Sequence, residues 1–338
     1  MSWTLIYIVE ILFSTGLIWF GSTLLEGSSE KLAAYYELPD IVQGAIVVAV
    51  GSSFPELSTT VLSTLIHGEF ELGVAAIVGS ALLNIIVIPG LSRLFGEEQL
   101  ESNRDLVYKE AQFYMIAVSV LLLTFSFAVI YYPVESTAIA GQVTRPLALI
   151  PLGLYGLYLF VQYQDTMDFE PEAEKEKISP LRQWSLMLVS LVVIVGGVEM
   201  MVGAAVGLGD VFNTPSFLWG LTVVAAGTSL PDTFISVRAA HEGRAVTSIA
   251  NVLGSNIFDL LVAIPAGVLI AGTATINYSL AAPMMAILTF ATILLFAFMR
   301  TRMTLSRFES VLLLVFYAGF VVWMALETMG YTHSLWTP

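Results

Sequence analysis

The chain contains no cysteine, which excludes disulfide bonds, thiolate metal sites and thiol chemistry. Charge is also scarce, at 12% of the 338 residues, whereas apolar residues make up 57%. An average soluble domain has about twice that share of charged residues. Together with a mean hydropathy of +0.84, this composition predicts a membrane protein.

Basic residues are absent from residues 1–30, and Glu10 interrupts the apolar run there. This stretch therefore does not resemble a secretory signal, and we expect a helix. Acidic residues outnumber basic ones by 27 to 13, which argues against a nucleic-acid partner and suits a protein that handles cations. Nothing in the sequence implies a cofactor, a protein partner or an enzymatic reaction.

Ten stretches are long and apolar enough to cross a bilayer, which takes about 20 residues. Their predicted bounds are 3–25, 41–66, 72–95, 111–132, 146–163, 184–207, 217–240, 246–271, 277–299 and 308–328. Twelve of the 13 basic residues fall in odd-numbered connections, and only Arg145 falls in an even one. Because short cytoplasmic loops retain Lys and Arg, we predict that both termini lie outside. We predict an all-α protein and place it in the plasma membrane.

The longest polar segment runs from Gln164 to Arg182 and contains six acids, three bases and two prolines. It separates the first five spans from the second five. We predict a first five-helix repeat at 1–163, an acidic cytoplasmic linker at 164–182 and a second five-helix repeat at 183–338. The linker is too short to hold a regulatory domain.

An internal duplication supports this division. Residues 44–56, which end in Gly-Ser-Ser-Phe-Pro-Glu, match residues 220–232, which end in Gly-Thr-Ser-Leu-Pro-Asp, at an offset of 176. Residues 77–84 match 252–259 at an offset of 175. Because each half has an odd number of spans, the second half enters the membrane from the opposite side. Inverted repeats of this kind build a substrate site at their interface near the bilayer midplane.

The matched segments are rich in oxygen ligands. Pro55 and Pro231 precede the acids Glu56 and Asp232, and a proline frees the carbonyl four residues before it. Hydroxyl groups within about one turn of these acids come from Ser52, Ser53, Thr228 and Ser229. On the following spans, one helical face carries Ser80 with Asn84, and another carries Ser255 with Asp259.

Ligand sets made of oxygen alone suit hard cations such as calcium and sodium, and argue against zinc, copper and iron. An isolated charge at the bilayer centre costs at least ~2.5 to 3.5 kcal/mol, so three acids at this depth indicate a function. Bound calcium offsets two negative charges, and several sodium ions offset all three. Mutually exclusive occupancy by these ions would produce exchange.

The paired motifs G-[ST]-S-x-P-[ED] and G-S-x-x-x-[ND] resemble those of the cation/calcium exchanger superfamily. The resemblance implies that Glu56 and Asp232 bind calcium together with backbone oxygens of Ser52 and Thr228. Asn84 and Asp259 match the central positions of the site. It also implies flanking sodium sites completed by Ser80, Ser255 and the carbonyls of Ala49 and Ala225. The implied fold has a core of spans 2, 3, 7 and 8, across which spans 1 and 6 slide, and the implied activity is calcium extrusion driven by inward sodium.

Several alternatives remain open. Asp232, Ala81 and Asp259 resemble the potassium-dependent branch of the superfamily, although a shorter Asp also adjusts the size of the cage. A proton/calcium antiporter would use the same carboxylates, but the hydroxyl-rich motifs favour sodium. A channel also uses rings of acids. An intramembrane aspartyl protease, suggested by Asp210, lacks a partner motif on a second span.

We interpret several other ionisable residues as structural or solvated and not as part of the site. Glu10 and Glu199 are interpreted as structural. His67 and His241 are expected to be solvated at the membrane surface.

Overall fold

The computed structural model describes residues 2–36, 49–96, 100–101, 109–135, 138–165, 178–241, 245–301 and 303–332. Its helices are α1 (Ser2–Tyr35), α2 (Ala49–Ser52), α3 (Phe54–Leu65), α4 (Phe70–Phe95), α5 (Ala111–Tyr131), α6 (Arg145–Asp165), α7 (Pro180–Phe212), α8 (Ser216–Trp219), α9 (Ala225–His241), α10 (Ala245–Phe258), α11 (Ile264–Ala271), α12 (Tyr278–Arg300) and α13 (Arg307–Thr328). Two π-helical turns, Gly220–Val224 and Asp259–Ala263, lie between α8 and α9 and between α10 and α11.

Within these described ranges, eight helical segments are long and apolar enough to cross a membrane. The prediction of a helical membrane protein is confirmed. The two remaining predicted spans fall on interrupted helices. One is α2 with α3, where the predicted span also includes residues 41–48 outside the described part; the other is α8 with α9. Most of the predicted linker, 166–177, likewise lies outside the described residues.

Two small antiparallel sheets join the connections between helices, and the sequence analysis did not predict them. One pairs β1 (Leu100–Glu101), between α4 and α5, with β5 (Thr304–Leu305), between α12 and α13. The other has the order β2 (Pro133–Val134), β3 (Ala140–Thr144) and β4 (Thr273–Asn277). It ties the connection between α5 and α6 to the connection between α11 and α12.

Helix α4 lies at the centre of the bundle, since 94% of its apolar window is buried, against 17% for α1. Its close approach to the π-helical turn Gly220–Val224 depends on Gly79. A Cβ added at Gly79 would collide with the carbonyl oxygen of Leu221 and with the Cβ of Ala225. This approach places Ser80, the next residue, at the boundary between the two halves of the chain.

Helices α1 and α7 pack as an antiparallel pair, and their hydrophobic cluster extends to Leu72 and Ala76 of α4 and to Val224. Early residues of one helix meet late residues of the other: Tyr7 contacts Gly207, whereas the hydroxyl of Ser29 lies 3.9 Å from the sulfur of Met187. The contacts are also reciprocal. Gly21 faces Ile194, and Gly197 faces Ile18. The repeat offset of 176 relates Gly21 to Gly197 and Ile18 to Ile194, so each contact is the repeat image of the other.

The two proline motifs are not equally interrupted. In the first half the helix breaks at Ser53, and Pro55 lies in the first turn of α3. In the second half Pro231 lies inside α9, which remains helical through it. The prediction of matching interruptions at both prolines is therefore wrong for the second half. There the departure from α-helical geometry comes earlier, at Gly220–Val224, because a π-helical turn widens the helix by one residue.

The second π-helical turn explains a change in the repeat offset. Asn84 and Asp259 match at 175, but the prolines that follow them, Pro89 and Pro265, are 176 apart. The turn Asp259–Ala263 lies between the two matches and accommodates the additional residue. The π-helical turn begins at Asp259, so the inserted residue affects the direction in which the side chain of this predicted site residue points.

Candidate cation site

Four predicted ligand residues lie on four helical segments around one region. Glu56 lies in the first turn of α3, Asn84 in α4, Asp232 in α9 and Asp259 at the start of its π-helical turn. Glu56, Asn84 and Asp259 are at most 2% exposed. Asp232 is only partly buried, so the site is open on its side.

The carboxylates are close enough for their charges to act on one another. The charge of Glu56 acts on both Asp232 and Asp259, and Asp232 also acts on Asp259. Glu26 of α1 adds a further negative charge that acts on Asp232. This negative charge from α1 adds to the attraction of the site for a cation.

Two hydroxyl pairs link the halves. The hydroxyl oxygens of Ser53 and Ser255 are 2.6 Å apart, and those of Ser80 and Ser229 are 2.5 Å apart. Ser53 corresponds to Ser229, and Ser80 corresponds to Ser255, in the duplicated motifs. The second pair is thus the image of the first, and four of the five serines predicted from the sequence lie at one interface.

Hydroxyl groups surround the carboxylates unequally. The Ser80 hydroxyl donates to Oε1 of Glu56 at 3.4 Å, and the hydroxyls of Thr228 and Ser229 lie beside the same carboxylate. The hydroxyl of Ser53 lies beside Asp259. Glu56 and Asp259 therefore each lie beside a serine of the opposite half, and Glu56 also accepts from Ser80 of its own half.

Three buried oxygens of the site accept no hydrogen bond from any described residue: Oε2 of Glu56, Oδ1 of Asn84 and Oδ1 of Asp259. Burying a polar atom without a partner costs free energy, so natural proteins rarely leave one, and three in one region point to a missing ligand. Carboxylate and amide oxygens are ligands of calcium and sodium.

One residue of this region was missed by the sequence analysis. Asn256 is fully buried; its Oδ1 accepts from Nδ2 of Asn84 at 3.0 Å, and its Nδ2 lies 3.4 Å from the carbonyl oxygen of Ala81. Because Asn256 holds the amide nitrogen of Asn84, the oxygen of Asn84 is the end left free. Its place inside the second matched segment was the signal that could have identified it.

The other predicted ligands have the following positions. Ser52 is buried at the end of α2, which begins at Ala49. The hydroxyl of Thr228 donates to the carbonyl oxygens of Val224 at 3.2 Å and Ala225 at 3.3 Å. The carbonyl oxygen of Ala225, a predicted sodium ligand, therefore already accepts a hydrogen bond from the hydroxyl of Thr228.

Among the described residues, no three acids or histidines come close enough together to hold one metal ion by themselves. Any cation bound here must take amide, hydroxyl or carbonyl oxygens as well as carboxylates. Such mixed oxygen sets are typical of calcium, which takes 6 to 8 ligands at ~2.3 to 2.6 Å.

Two further residues named in the sequence analysis lie outside this region. His67, interpreted as solvated, lies with Nε2 3.0 Å from Oε1 of Glu199, so a side chain after α3 contacts α7. Asp210 is exposed near the end of α7, away from the matched motifs, and gives no support to a protease.

Comparison with known proteins agrees with this geometry. An uncharacterized membrane protein of Methanocaldococcus jannaschii is 26% identical over 302 residues, covering 89% of this chain and 92% of that protein. A solved structure of the sodium-calcium exchanger NCX_Mj, 24% identical, covers 94% of this chain and 99% of that one with a TM-score of 0.59. The H+/Ca2+ exchanger CAX, 15% identical, covers 97% and 86% with a TM-score of 0.65.

The family model described as sodium/calcium exchanger protein matches residues 6–164 and 182–326. The two matched ranges leave out the acidic linker and include every site residue described above. Taken with the duplicated motifs and the oxygen-lined region between them, the match shows that this chain belongs to the sodium/calcium exchanger family of membrane antiporters.

Proposed function

We propose that this protein exchanges sodium for calcium by alternating access, with both ions competing for the oxygens around Glu56, Asn84, Asp232 and Asp259. The observation that carries this proposal is the set of three buried oxygens without a hydrogen-bond donor. A cation satisfies the three oxygens that the neighbouring hydroxyl groups leave without a hydrogen bond.

Charge balance supplies the coupling. One calcium ion neutralises two of the three carboxylates, whereas sodium ions distributed over central and flanking positions neutralise all three. We assign the flanking positions to the two serine pairs and to carbonyl oxygens of Ala49, Ser52, Ala225 and Thr228. The charges of the acids act on one another, so a cation bound to one of them also offsets the negative potential at the others. Binding of either ion therefore lowers the affinity for the other.

We propose ten membrane spans arranged as two inverted five-helix repeats, at 1–163 and 183–338, with both termini outside. The antiparallel contacts of α1 with α7, the first helix of each repeat, support inversion. Strand pairing supports the count, because β1 and β5 fall in the third and ninth connections, and β3 and β4 in the fourth and eighth. Paired strands then lie on the same side of the membrane.

In this arrangement α1 and α7 move across the core formed by α3, α4, α9 and the helices next to Asp259. Their close packing through Gly21 and Gly197 allows the pair to move as a unit, while apolar contacts to Leu72 and Ala76 join it to α4. We place the protein in the plasma membrane, where it extrudes calcium using inward sodium and needs no cofactor or protein partner.

The test is flux in reconstituted liposomes with sodium, potassium and proton gradients varied one at a time. Calcium uptake driven by an outward sodium gradient alone supports the proposal. Uptake that follows a proton gradient and ignores sodium would overturn it in favour of proton/calcium exchange, the activity for which CAX is named.

Potassium co-transport is a second candidate. Asp259 gives the site a third acid where the first half has Asn84, and Ala81 leaves Asn256 without a matching amide. The additional charge accommodates one more monovalent cation. A requirement for potassium on the calcium-loaded side, lost in Asp259→Asn, would establish this candidate.

A further inference from the structure

A cavity of about 220 Å³ lies between α1 and α7, at the C-terminal half of α1 and the first turns of α7. Its lining combines basic, amide and hydroxyl side chains with a few apolar ones: Thr23, Leu24, Gly27, Ser28, Lys31, Arg182, Gln183 and Leu186. Among the residues that the structure describes, no acidic side chain lines it. A water molecule occupies ~30 Å³ in the liquid, so the cavity has room for a group much larger than one water.

The cavity carries positive charge from three sources. Lys31 comes from α1 and Arg182 from α7, and neither makes an ion pair with any described residue. The third source is the start of α7, a helix of 33 residues whose N-cap, Ser179, makes no side-chain capping bond and whose first turn contains no acid. Free N–H groups at the positive end of a helix bind anions.

Gln183 gives an independent indication of a ligand. Its side chain is only 8% exposed, lines the cavity and makes no hydrogen bond to any described residue. Since no described residue bonds to them, the two N–H donors and the oxygen of this amide remain available to a ligand in the cavity. A ligand with several oxygen acceptors in the cavity would satisfy this side chain.

Aromatic residues locate the cavity at a membrane surface. The indole of Trp184 donates to the hydroxyl of Tyr36 at 3.2 Å, and the ring of Tyr36 lies 5.2 Å from that of Tyr35. Trp and Tyr side chains concentrate where lipid headgroups begin. Leu181 and Leu188 of α7 are exposed next to this belt, as expected for side chains that face lipid chains.

We propose that the cavity binds the phosphate headgroup of an acidic phospholipid, with the phosphate held by Lys31, Arg182 and Gln183. A lipid is favoured over a soluble anion because the cavity is at headgroup level beside exposed leucines. Since the ligand contacts both α1 and α7, it bridges the antiparallel pair. Glu26, whose charge acts on Asp232, lies five residues before Lys31 on the same helix.

The test measures lipid binding and not transport, so it stands apart from the proposed function. Purified protein is incubated with equal amounts of phosphatidylglycerol and phosphatidylcholine, and retained lipid is counted by native mass spectrometry. We expect preferential retention of phosphatidylglycerol and a higher Tm with that lipid. The variants Lys31→Gln and Arg182→Gln should each weaken this preference about fivefold.

Arg307→Gln is the matched control, because it removes one base from an exposed position at the start of α13 and should keep the preference. Gln183→Leu should lower retention while leaving the Tm in phosphatidylcholine unchanged. Equal retention of the two lipids by the native chain would overturn the proposal. So would an equal loss in Arg307→Gln, or a Tm increase of the same size with inorganic phosphate alone.

Discussion

The hydroxyl oxygen of Ser53 lies 2.6 Å from that of Ser255, across the boundary between the two halves of the chain. Its repeat image, Ser229 with Ser80, makes the same contact at 2.5 Å. The serine of each proline motif is therefore bonded to the second motif of the other half, while the Ser80 hydroxyl also donates to Glu56 of its own half. Each serine pair takes one member from each half, so neither half can build the site alone.

Double-mutant cycles test this arrangement. Because each serine pair shares one hydrogen bond, Ser53→Ala with Ser255→Ala should show an interaction free energy of about 1 kcal/mol, and so should Ser80→Ala with Ser229→Ala. The combination Ser53→Ala with Ser229→Ala joins residues of different pairs and should be additive. Unfolding in detergent gives these energies, and equal coupling in all three combinations would contradict the pairing.

Neutralising a site carboxylate should abolish exchange. Glu56→Gln keeps the shape of a side chain that is 2% exposed but removes its charge, so calcium flux driven by sodium should fall to background. Glu10→Gln removes a carboxylate of α1 that has no part in the proposed site, and it should retain native flux. Native exchange by Glu56→Gln, with folding verified by its Tm, would refute the site assignment.

Asn256 is expected to act by positioning Asn84. Asn256→Ala leaves the amide nitrogen of Asn84 without its acceptor, so Asn84 is free to rotate its oxygen away from the site. We expect KM for calcium to rise about tenfold while kcat changes little. Thr124→Val is the control, since Thr124 is equally buried and bonds only to its own helix at Val120. A fall in kcat alone would argue against positioning.

Close packing of α1 against α7 should depend on Gly21. A Cβ at this residue would meet Cγ1 of Ile194 at 2.6 Å, so Gly21→Ala should destabilise the protein by about 1 to 3 kcal/mol. Gly16→Ala on the same helix has nothing within 4 Å and should be neutral or slightly stabilising. Thermal unfolding of the two variants side by side decides the question, and equal Tm values would contradict the packing.

Much of this protein could be predicted from residue order. Hydropathy runs of about 20 residues predict the membrane and the helices, since a bilayer leaves the backbone few other ways to satisfy its hydrogen bonds. Duplication at a nearly constant offset identified Glu56, Asp232, Asn84 and Asp259, because each motif repeats an acid or amide at a depth where polar residues are costly.

Other features depend on contacts between segments far apart in sequence. The role of Asn256 became visible only when α10 was seen beside α4, and the His67–Glu199 contact joins residues 132 positions apart. Similarly, the π-helical turn at Asp259 accommodates a single inserted residue. No local sequence pattern shows whether such an insertion lies in a helix or in a loop.

The sequence by itself determined which oxygens are buried in the membrane, because their chemistry and spacing are local properties of each half. Only the tertiary structure decided which half satisfies which oxygen. Hydrogen bonds act over about 3 Å, so the pairing of Ser53 with Ser255, and the three oxygens left without donors, depend on how the two halves pack.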